Sequence, residues 1–129
     1  MQIDCPCGLG KTYDECCGKY HKGDAAPTTA EALMRSRYSA YAMKKVDYIV
    51  HTALVLDNKT AIEEWMERVK FVKLEIVRTQ RGKALDKKGV VEFKAWFEAE
   101  GKIEVLHEVS AFVKRKGRWF YDESNSFTP

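Results

Sequence analysis

The chain has 129 residues, of which 45% are hydrophobic and 32% are charged, as is usual for a globular protein. Its 22 basic and 19 acidic side chains give a net charge of +3, which makes no case for nucleic-acid binding. No apolar run approaches the roughly 20 residues needed to cross a bilayer, and no signal-peptide pattern opens the sequence. We therefore expect a cytoplasmic protein without a membrane partner.

The cysteines are confined to one segment near the start of the chain, where they form two close pairs: Cys5, Cys7, Cys16 and Cys17. Between the pairs, Gly8 and Gly10 can adopt the positive φ that a tight reversal needs. Two thiolate pairs brought together by a reversal supply the four ligands of a tetrahedral zinc ion. We predict that residues 4–18, the knuckle, enclose one structural ion, with zinc expected and iron as its substitute. His21 lies four residues after Cys17 and could replace it as the fourth ligand.

Three other interpretations of the cysteine segment fit its sequence less well. Adjacent cysteines such as Cys16 and Cys17 pair poorly in a disulfide. A redox dithiol usually separates its two cysteines by two residues and lies beside a βαβ pattern, and neither feature is present. Gly10-Lys11-Thr12 is similar to the end of a phosphate-binding loop, but Cys5 stands where that loop requires its first glycine.

The knuckle also carries a specific set of neighbouring residues: Cys5-Pro6-Cys7-Gly8, Gly10-Lys11, Tyr13 and Cys16-Cys17-Gly18. In these residues it resembles the SEC-C motif, a small zinc-binding module at the C-terminal end of the preprotein translocase motor SecA. The resemblance implies that the ligands are Cys5, Cys7, Cys16 and Cys17, the last position being histidine in SecA. Leu9, Thr12 and Asp14 depart from the motif and remove part of the surface by which SecA meets its partners.

Residues 19–27 are rich in glycine, proline and small side chains, which predicts a short linker. Thr28 and Glu31 have the spacing of a capping box, so we expect a helix from Thr28 to about Lys44. Its apolar positions recur on one face: Ala30, Leu33, Met34, Tyr38 and Tyr41. Arg37 lies in the middle of that face. It either extends past its neighbours to solvent or enters a pocket and meets an anionic or carbonyl partner.

Two shorter helices should follow, the first capped by Asp47 and covering residues 48–54. A second capping box, Thr60 to Glu63, predicts a helix that ends near Val69. The hydrophobic period then changes from that of a helix to the alternation of strands.

Four strands are predicted in succession. In the first, Val72, Leu74 and Ile76 share one face, and the strand ends near Gly82; in the second, Val91, Phe93, Ala95 and Phe97 share one face. The third runs from Ile103 to about Lys114 and the fourth from Arg118 to Asp122. The short turns between them indicate antiparallel hairpins. Helices followed by such a meander define an α+β fold, with about three helices packed on one face of a curved four-stranded antiparallel sheet.

This order resembles the cone-shaped nuclear transport factor 2-like fold. Four further stretches are distinctive: residues 29–41, Val91-Glu92-Phe93, residues 107–112 and Gly117-Arg118-Trp119. In these stretches, and with the knuckle in front, the chain resembles the bacterial YchJ-like family. The resemblance implies a zinc knuckle and linker over residues 1–24 and a cone domain over residues 25–129.

A cone of this kind has an apolar cavity. Leu106, Glu108, Ser110 and Phe112 share one face of the third strand, and we predict that this face points inward, towards Arg37. His107 would then lie outside, although a shift of one residue in register would exchange the two faces. If Arg37, Tyr41, Glu108 and Ser110 converge, they could form a small-molecule site.

The leading functional prediction is a zinc-binding adaptor that is not an enzyme. By resemblance to SecA, its partners would be proteins of translation or export, such as the ribosome, a chaperone or nascent chains. The sequence shows no nucleophile, base and orienting group in the arrangement that supports a catalytic mechanism. The alternative is a small-ligand binder or enzyme whose cavity is centred on Arg37 and Glu108. A weaker third hypothesis is RNA contact through the basic residues Lys11, Lys19, Lys22, Lys114, Arg115, Lys116 and Arg118.

Overall fold

The computed structural model describes residues 3–55 and 58–129. Within these ranges the helices precede the strands. The helices are α1 (Cys17–His21), α2 (Ala30–Ala42), α3 (Val46–His51) and α4 (Lys59–Arg68). The strands are β1 (Val69–Arg81), β2 (Lys88–Ala99), β3 (Lys102–Arg115) and β4 (Arg118–Phe127). The predicted α+β class is confirmed.

The strands form one antiparallel sheet in chain order, β1-β2-β3-β4. The turn between β2 and β3 consists of Glu100 and Gly101, and both residues have positive φ, as in the tight hairpin turns that match strand twist. The corresponding residues between β3 and β4, Lys116 and Gly117, also have positive φ. The predicted meander is therefore confirmed, although β4 continues five residues beyond the predicted end at Asp122.

The first strand differs from its prediction because two irregularities shift its register, between Phe71 and Lys73 and between Ile76 and Arg78. A bulge adds one residue to a strand and thereby reverses the alternation of its faces. As a result Phe71 joins the core beside Leu74, whereas Val72 is 50% exposed. The prediction that Val72 shares a face with Leu74 was wrong for this reason.

All three predicted helix caps are displaced. The side chain of Thr29, rather than Thr28, accepts a hydrogen bond from the amide of Ala32 at the start of α2. The carbonyl of Thr28 accepts a hydrogen bond from the indole of Trp119 instead, so a contact with β4 fixes where α2 begins.

The two following helices, in contrast, begin earlier than predicted. In α3 the N-cap is Lys45, and Asp47 lies in the first turn, where it pairs with Lys59 at 2.8 Å. In α4 the N-cap is Asn58, whose side chain accepts a hydrogen bond from the amide of Ala61. Asparagine is a stronger N-cap than threonine, which explains why α4 begins at Lys59 and not after Thr60.

Helix α2 lies at the centre of the structure. Its apolar face packs on the sheet in the main core, which comprises Ala30, Leu33, Met34, Tyr38, Val91, Phe93, Ala95, Phe112 and Trp119. The same helix contacts α1, which occupies part of the predicted linker, and α3. Within the described ranges, no helix is both long enough and apolar enough to span a bilayer.

Candidate metal centre and cone cavity

The two cysteine pairs converge into one buried cluster. The four Sγ atoms all lie within 4.8 Å of one another, and none is in a disulfide. The separation is 3.5 Å between Cys7 and Cys16 and 4.0 Å between Cys16 and Cys17. A tetrahedral zinc ion with sulfur ligands at about 2.3 Å has neighbouring sulfurs about 3.8 Å apart. The donor set therefore fits one tetrahedral metal ion.

The backbone of the knuckle reverses at the predicted glycines. Gly8 and Gly10 have φ values of 84° and 85°, a region that other residues rarely adopt. The reversal is closed by a hydrogen bond of 2.8 Å from the amide of Cys5 to the carbonyl of Lys11. This loop returns the chain so that the second cysteine pair meets the first.

Gly18 serves the knuckle in a different way from Gly8 and Gly10. Its φ is not positive, so backbone freedom is not the reason for a glycine here. A Cβ at this position would lie 2.7 Å from the carbonyl oxygen of Tyr13 and 3.1 Å from its ring. Gly18 therefore allows the start of α1 to approach Tyr13 closely.

His21 has other partners than a metal. Its Nε2 lies 2.8 Å from the carbonyl of Ser36, to which it can only donate, and its Nδ1 lies 2.5 Å from the hydroxyl of Tyr13. In the neutral ring Nδ1 then accepts from Tyr13, so neither nitrogen has a lone pair for an ion. Burial lowers the pKa of His21 and favours this neutral form. The structure places Cys17, rather than His21, in the cluster.

The cluster is poorly suited to exist as four bare thiolates. Hydrogen bonds from Cys17 and Cys7 lower the pKa of Cys5, which favours one thiolate. Burial raises the pKa of Cys16 to about 12, and hydrogen bonding to Cys5 raises the pKa of Cys17. A bound cation would compensate these charges, since a coordinating thiol is deprotonated outright.

The knuckle is held against α2 by polar contacts. Arg35 donates a hydrogen bond from Nη1 to the carbonyl of Cys7 at 2.8 Å. The sulfur of Cys5 lies 3.5 Å from the hydroxyl of Ser39, and His21 contacts Ser36 one turn earlier. Three positions along one face of α2 thus orient the cysteine cluster relative to the cone.

The opposite side of α2 covers a cavity of about 250 Å³. Its wall is mostly aromatic and aliphatic: Met34, Arg37, Tyr38, Tyr41, Trp65, Phe71, Phe93, Ala95, Leu106, Glu108, Ser110, Phe112 and Tyr121. The structure thus brings together the four residues singled out from the sequence, Arg37, Tyr41, Glu108 and Ser110. The predicted inward face of β3 is confirmed.

Arg37 is only 7% exposed and does not extend to solvent. Its Nη1 donates to the carbonyl of Ile49 at 2.9 Å and to the hydroxyl of Thr52 at 2.7 Å. Its guanidinium carbon lies 4.7 Å from the centre of the Tyr121 ring, within the range of a cation–π contact. Of the two sequence interpretations, the pocket with a carbonyl partner is the one that the structure supports.

Glu108 connects to Arg37 through a residue that the sequence interpretation missed. Its Oε1 accepts hydrogen bonds from Ser110 at 2.5 Å and from the hydroxyl of Tyr121 at 2.8 Å. Burial and the neighbouring Glu108 raise the pKa of Tyr121, so the phenol remains a donor. The alternation of β4 from Trp119 would have placed Tyr121 on the inner face.

His107 lies on the outer face of the sheet, as predicted. Its Nε2 is 2.7 Å from Oε2 of Glu92, whose other oxygen accepts from Arg78 at 2.7 Å. The hydrogen bond from His107 and that from Arg78 hold the pKa of Glu92 below its usual value. This cluster joins β1, β2 and β3 outside the cavity.

A cysteine cluster mounted on a helix that closes over a curved sheet defines a class: proteins that combine a SEC-C motif with a nuclear transport factor 2-like domain. Residues 29–124 match the family model described as the YchJ, middle NTF2-like domain. The chain belongs to this YchJ-like family.

Relatives and solved structures agree with this assignment. The chain is 44% identical over 126 residues to a UPF0225 protein of Chromobacterium violaceum, covering 91% of this chain and 88% of the relative. It is 42% identical over 126 residues to a UPF0225 protein of Haemophilus influenzae strain PittEE, covering 94% and 77%.

Two solved SEC-C motif containing proteins have the same fold over nearly the whole chain. The solution structure of the Rhodopseudomonas palustris protein has a TM-score of 0.87 and 37% identity, covering 98% of this chain and 99% of its own. The crystal structure of the Psychrobacter arcticus protein has a TM-score of 0.81 and 32% identity, covering 97% and 83%. A Mycobacterium tuberculosis LEH-like epoxide hydrolase, with a TM-score of 0.50 and 17% identity over 74% of this chain and 84% of its own, shares the fold alone.

Proposed function

We propose that the protein is a zinc-binding adaptor without enzymatic activity, in which the knuckle is the recognition element. The observation that carries this proposal is the buried cluster of four cysteine sulfurs within 4.8 Å of one another. Four thiolates complete a tetrahedral zinc site and leave no position for a reactive water, so the ion has a structural role. Cys5, Cys7, Cys16 and Cys17 would hold it.

The knuckle presents apolar side chains that a protein partner could contact. Leu9, at the reversal between Gly8 and Gly10, is 50% exposed, and Ile3, just before the knuckle, is 49% exposed. Because Arg35 and Ser39 fix the knuckle on α2, these side chains are displayed in a defined direction. By similarity to the SEC-C motif, the partner is a component of translation or export: the ribosome, a chaperone or a nascent chain.

The metal is tested by elemental analysis of protein purified without added zinc. One zinc ion per chain is expected, and removing it with a chelator should make all four thiols reactive towards Ellman's reagent. Iron at the same stoichiometry would change the identity of the ion and preserve its structural role. Protein that contains no ion and reacts through all four thiols from the start would refute the proposal.

The recognition role is tested by a pull-down that compares the intact protein with two variants. Cys16→Ser/Cys17→Ser removes two ligands and should lose both the ion and the partner. Leu9→Asp leaves the ligands intact, so it should keep the ion and lose only the partner. Ribosomal or chaperone proteins recovered by the intact chain alone support the adaptor. Equal recovery by all three proteins would exclude the knuckle as the recognition element.

A second candidate function is the binding of a small molecule in the cone cavity. The observation that favours it is a cavity of about 250 Å³ with an aromatic wall and two charged side chains, Arg37 and Glu108. Apolar pockets with a few fixed polar groups are the usual form of small-ligand sites. This function is compatible with the adaptor, since cavity and knuckle lie on different sides of α2.

A further inference from the structure

We infer that the cone cavity takes a compact, neutral and mainly apolar molecule that donates one hydrogen bond to Glu108. This inference rests on the proposed binding function of the cavity and names the class of its ligand. It follows from the size of the cavity, the chemistry of its wall and the bonding of one carboxylate.

The size of the cavity limits the ligand. A cavity of about 150 Å³ is enough for benzene, and drug-sized ligands usually occupy more than about 300 Å³. The cavity of about 250 Å³ lies between these values. It suits a molecule of about ten non-hydrogen atoms, one ring with a short substituent.

The wall of the cavity favours an apolar body. The wall includes Phe71, Phe93, Leu106 and Phe112 of the sheet and Trp65 of α4. Trp65 and Phe71 meet edge to face, with ring centres 5.5 Å apart. An aromatic ring in the ligand would extend this cluster in the edge-to-face or offset arrangements that such rings prefer.

The polar end of the cavity favours a hydrogen-bond donor. Oε1 of Glu108 already accepts two hydrogen bonds, from Ser110 and Tyr121. Within the described part of the chain, Oε2 accepts none, and it is not among the fully buried atoms, so it is accessible in the cavity that Glu108 lines. A carboxylate oxygen can only accept. A hydroxyl or amide N–H of the ligand can therefore donate to Oε2.

The charges around the cavity favour a neutral ligand. The wall carries one charge of each sign, Glu108 and Arg37, so an ion of either sign is attracted by one group and repelled by the other. Such an ion would still lose its hydration on entering an apolar space. A neutral alcohol or amide keeps the hydrogen bond to Glu108 and avoids that cost.

The test measures binding to the full chain, uniformly labelled with ¹⁵N, by amide chemical-shift titration. The probes share one scaffold: 2-phenylethanol as neutral donor, ethylbenzene without a donor, acetophenone as acceptor, 2-phenylethylamine as cation and phenylacetate as anion. We expect 2-phenylethanol to bind about tenfold more tightly than ethylbenzene, as one added hydrogen bond predicts. The shifts should centre on the amides of Phe93, Leu106 and Glu108.

The variant Glu108→Gln tests the contact itself. Its amide oxygen can still accept from Ser110 and Tyr121, which leaves the amide NH₂ as a donor towards the cavity. The preference should therefore reverse from 2-phenylethanol to acetophenone. Ala95→Leu, which places a larger side chain in the cavity, should weaken all five probes. If Ala95→Leu does not fold, the positions of the shifts in the unsubstituted protein locate the site by themselves.

The outcomes separate the ligand class from the cavity function. Equal binding of 2-phenylethanol and ethylbenzene with shifts at the cavity would overturn the donor requirement and leave the cavity function standing. Tighter binding of the amine or the carboxylate would overturn neutrality. If no probe shifts the cavity amides up to its solubility limit, the proposed binding function of the cavity falls as well.

Discussion

The hydroxyl of Tyr121 donates a hydrogen bond of 2.8 Å to Oε1 of Glu108, and through this contact β4 closes the polar end of the cavity. The ring of Tyr121 faces Arg37, so this one side chain contacts both charged groups of the cavity, Arg37 and Glu108. Its backbone pairs with the segment after α3, with the amide bonded to the carbonyl of Thr52 at 2.7 Å. Sheet, helices and cavity therefore meet at Tyr121.

Replacing Tyr121 with phenylalanine should remove the hydroxyl and retain the ring. The loss of a hydrogen bond to a carboxylate should lower the free energy of unfolding by about 1–2 kcal/mol. Urea denaturation measures this change, with Tyr38→Phe as control, since the Tyr38 ring likewise lines the cavity. A loss equal to that of the control would contradict a specific role for the contact with Glu108.

Replacing Arg37 with methionine should be more damaging, because it leaves the carbonyl of Ile49 without this donor in a buried position. We expect a loss of about 2–3 kcal/mol in the free energy of unfolding. Methionine favours helices as well as arginine does, so helix propensity is not a cause. Arg37→Lys keeps the positive charge but loses the planar guanidinium. Its free energy of unfolding should therefore lie between those of Arg37→Met and the unsubstituted protein. Melting temperatures unchanged within about 1 °C in both variants would show that the arginine is not a structural tie.

Arg35 should control how firmly the knuckle holds its ion, because it donates to the carbonyl of the ligand residue Cys7. Arg35→Ala should accelerate transfer of the metal to a chromogenic chelator by about tenfold, the size of effect typical of groups just outside a metal's ligands. Glu31→Ala is the matched control, since it removes the ion pair of Arg35 with Glu31 and leaves the contact with Cys7. If both variants release metal at the rate of the unsubstituted protein, the contact with Cys7 does not stabilise the site.

Asp122 should make the free energy of unfolding fall as the pH is lowered into the acid range. Hydrogen bonds from Asn125 and Ser124 lower the pKa of the Asp122 carboxyl in the folded state. Its contribution is therefore present above the pKa of the unfolded chain and is lost as the pH falls through the lower folded pKa. Asn125→Ala should lower the free energy of unfolding by about 1 kcal/mol at neutral pH and by less as the pH falls below about 4.

Ser126→Ala is the control for the acid experiment. Ser126 donates to the backbone carbonyl of Asp122, not to its carboxylate. The decrease in the free energy of unfolding caused by Ser126→Ala should therefore not depend on pH. The test compares the midpoints of urea denaturation of both variants and the unsubstituted protein between about pH 7 and about pH 2.5. A difference between Asn125→Ala and the unsubstituted protein that stays constant over that range would refute the linkage.

Local patterns were enough to predict several features. The cysteine spacing and Gly8 and Gly10 predicted the cluster, and the alternation in β2 and β3 predicted which side chains face the core. These features depend on residue type and on short-range backbone geometry. The displaced cap of α2 could not be predicted in this way, because Thr28 is held by Trp119, which is 91 residues away in sequence.

The sequence by itself determined the order of elements, the cysteine cluster and the inward face of β3, since each depends on the spacing of residues close together in the chain. Tertiary structure decided that the knuckle rests on α2 through Arg35 and Ser39, that β1 bulges, and that Tyr121 completes the cavity. The physical reason is that these contacts join segments distant in the chain. Their geometry is set by how α2 packs on the sheet, which no single segment encodes.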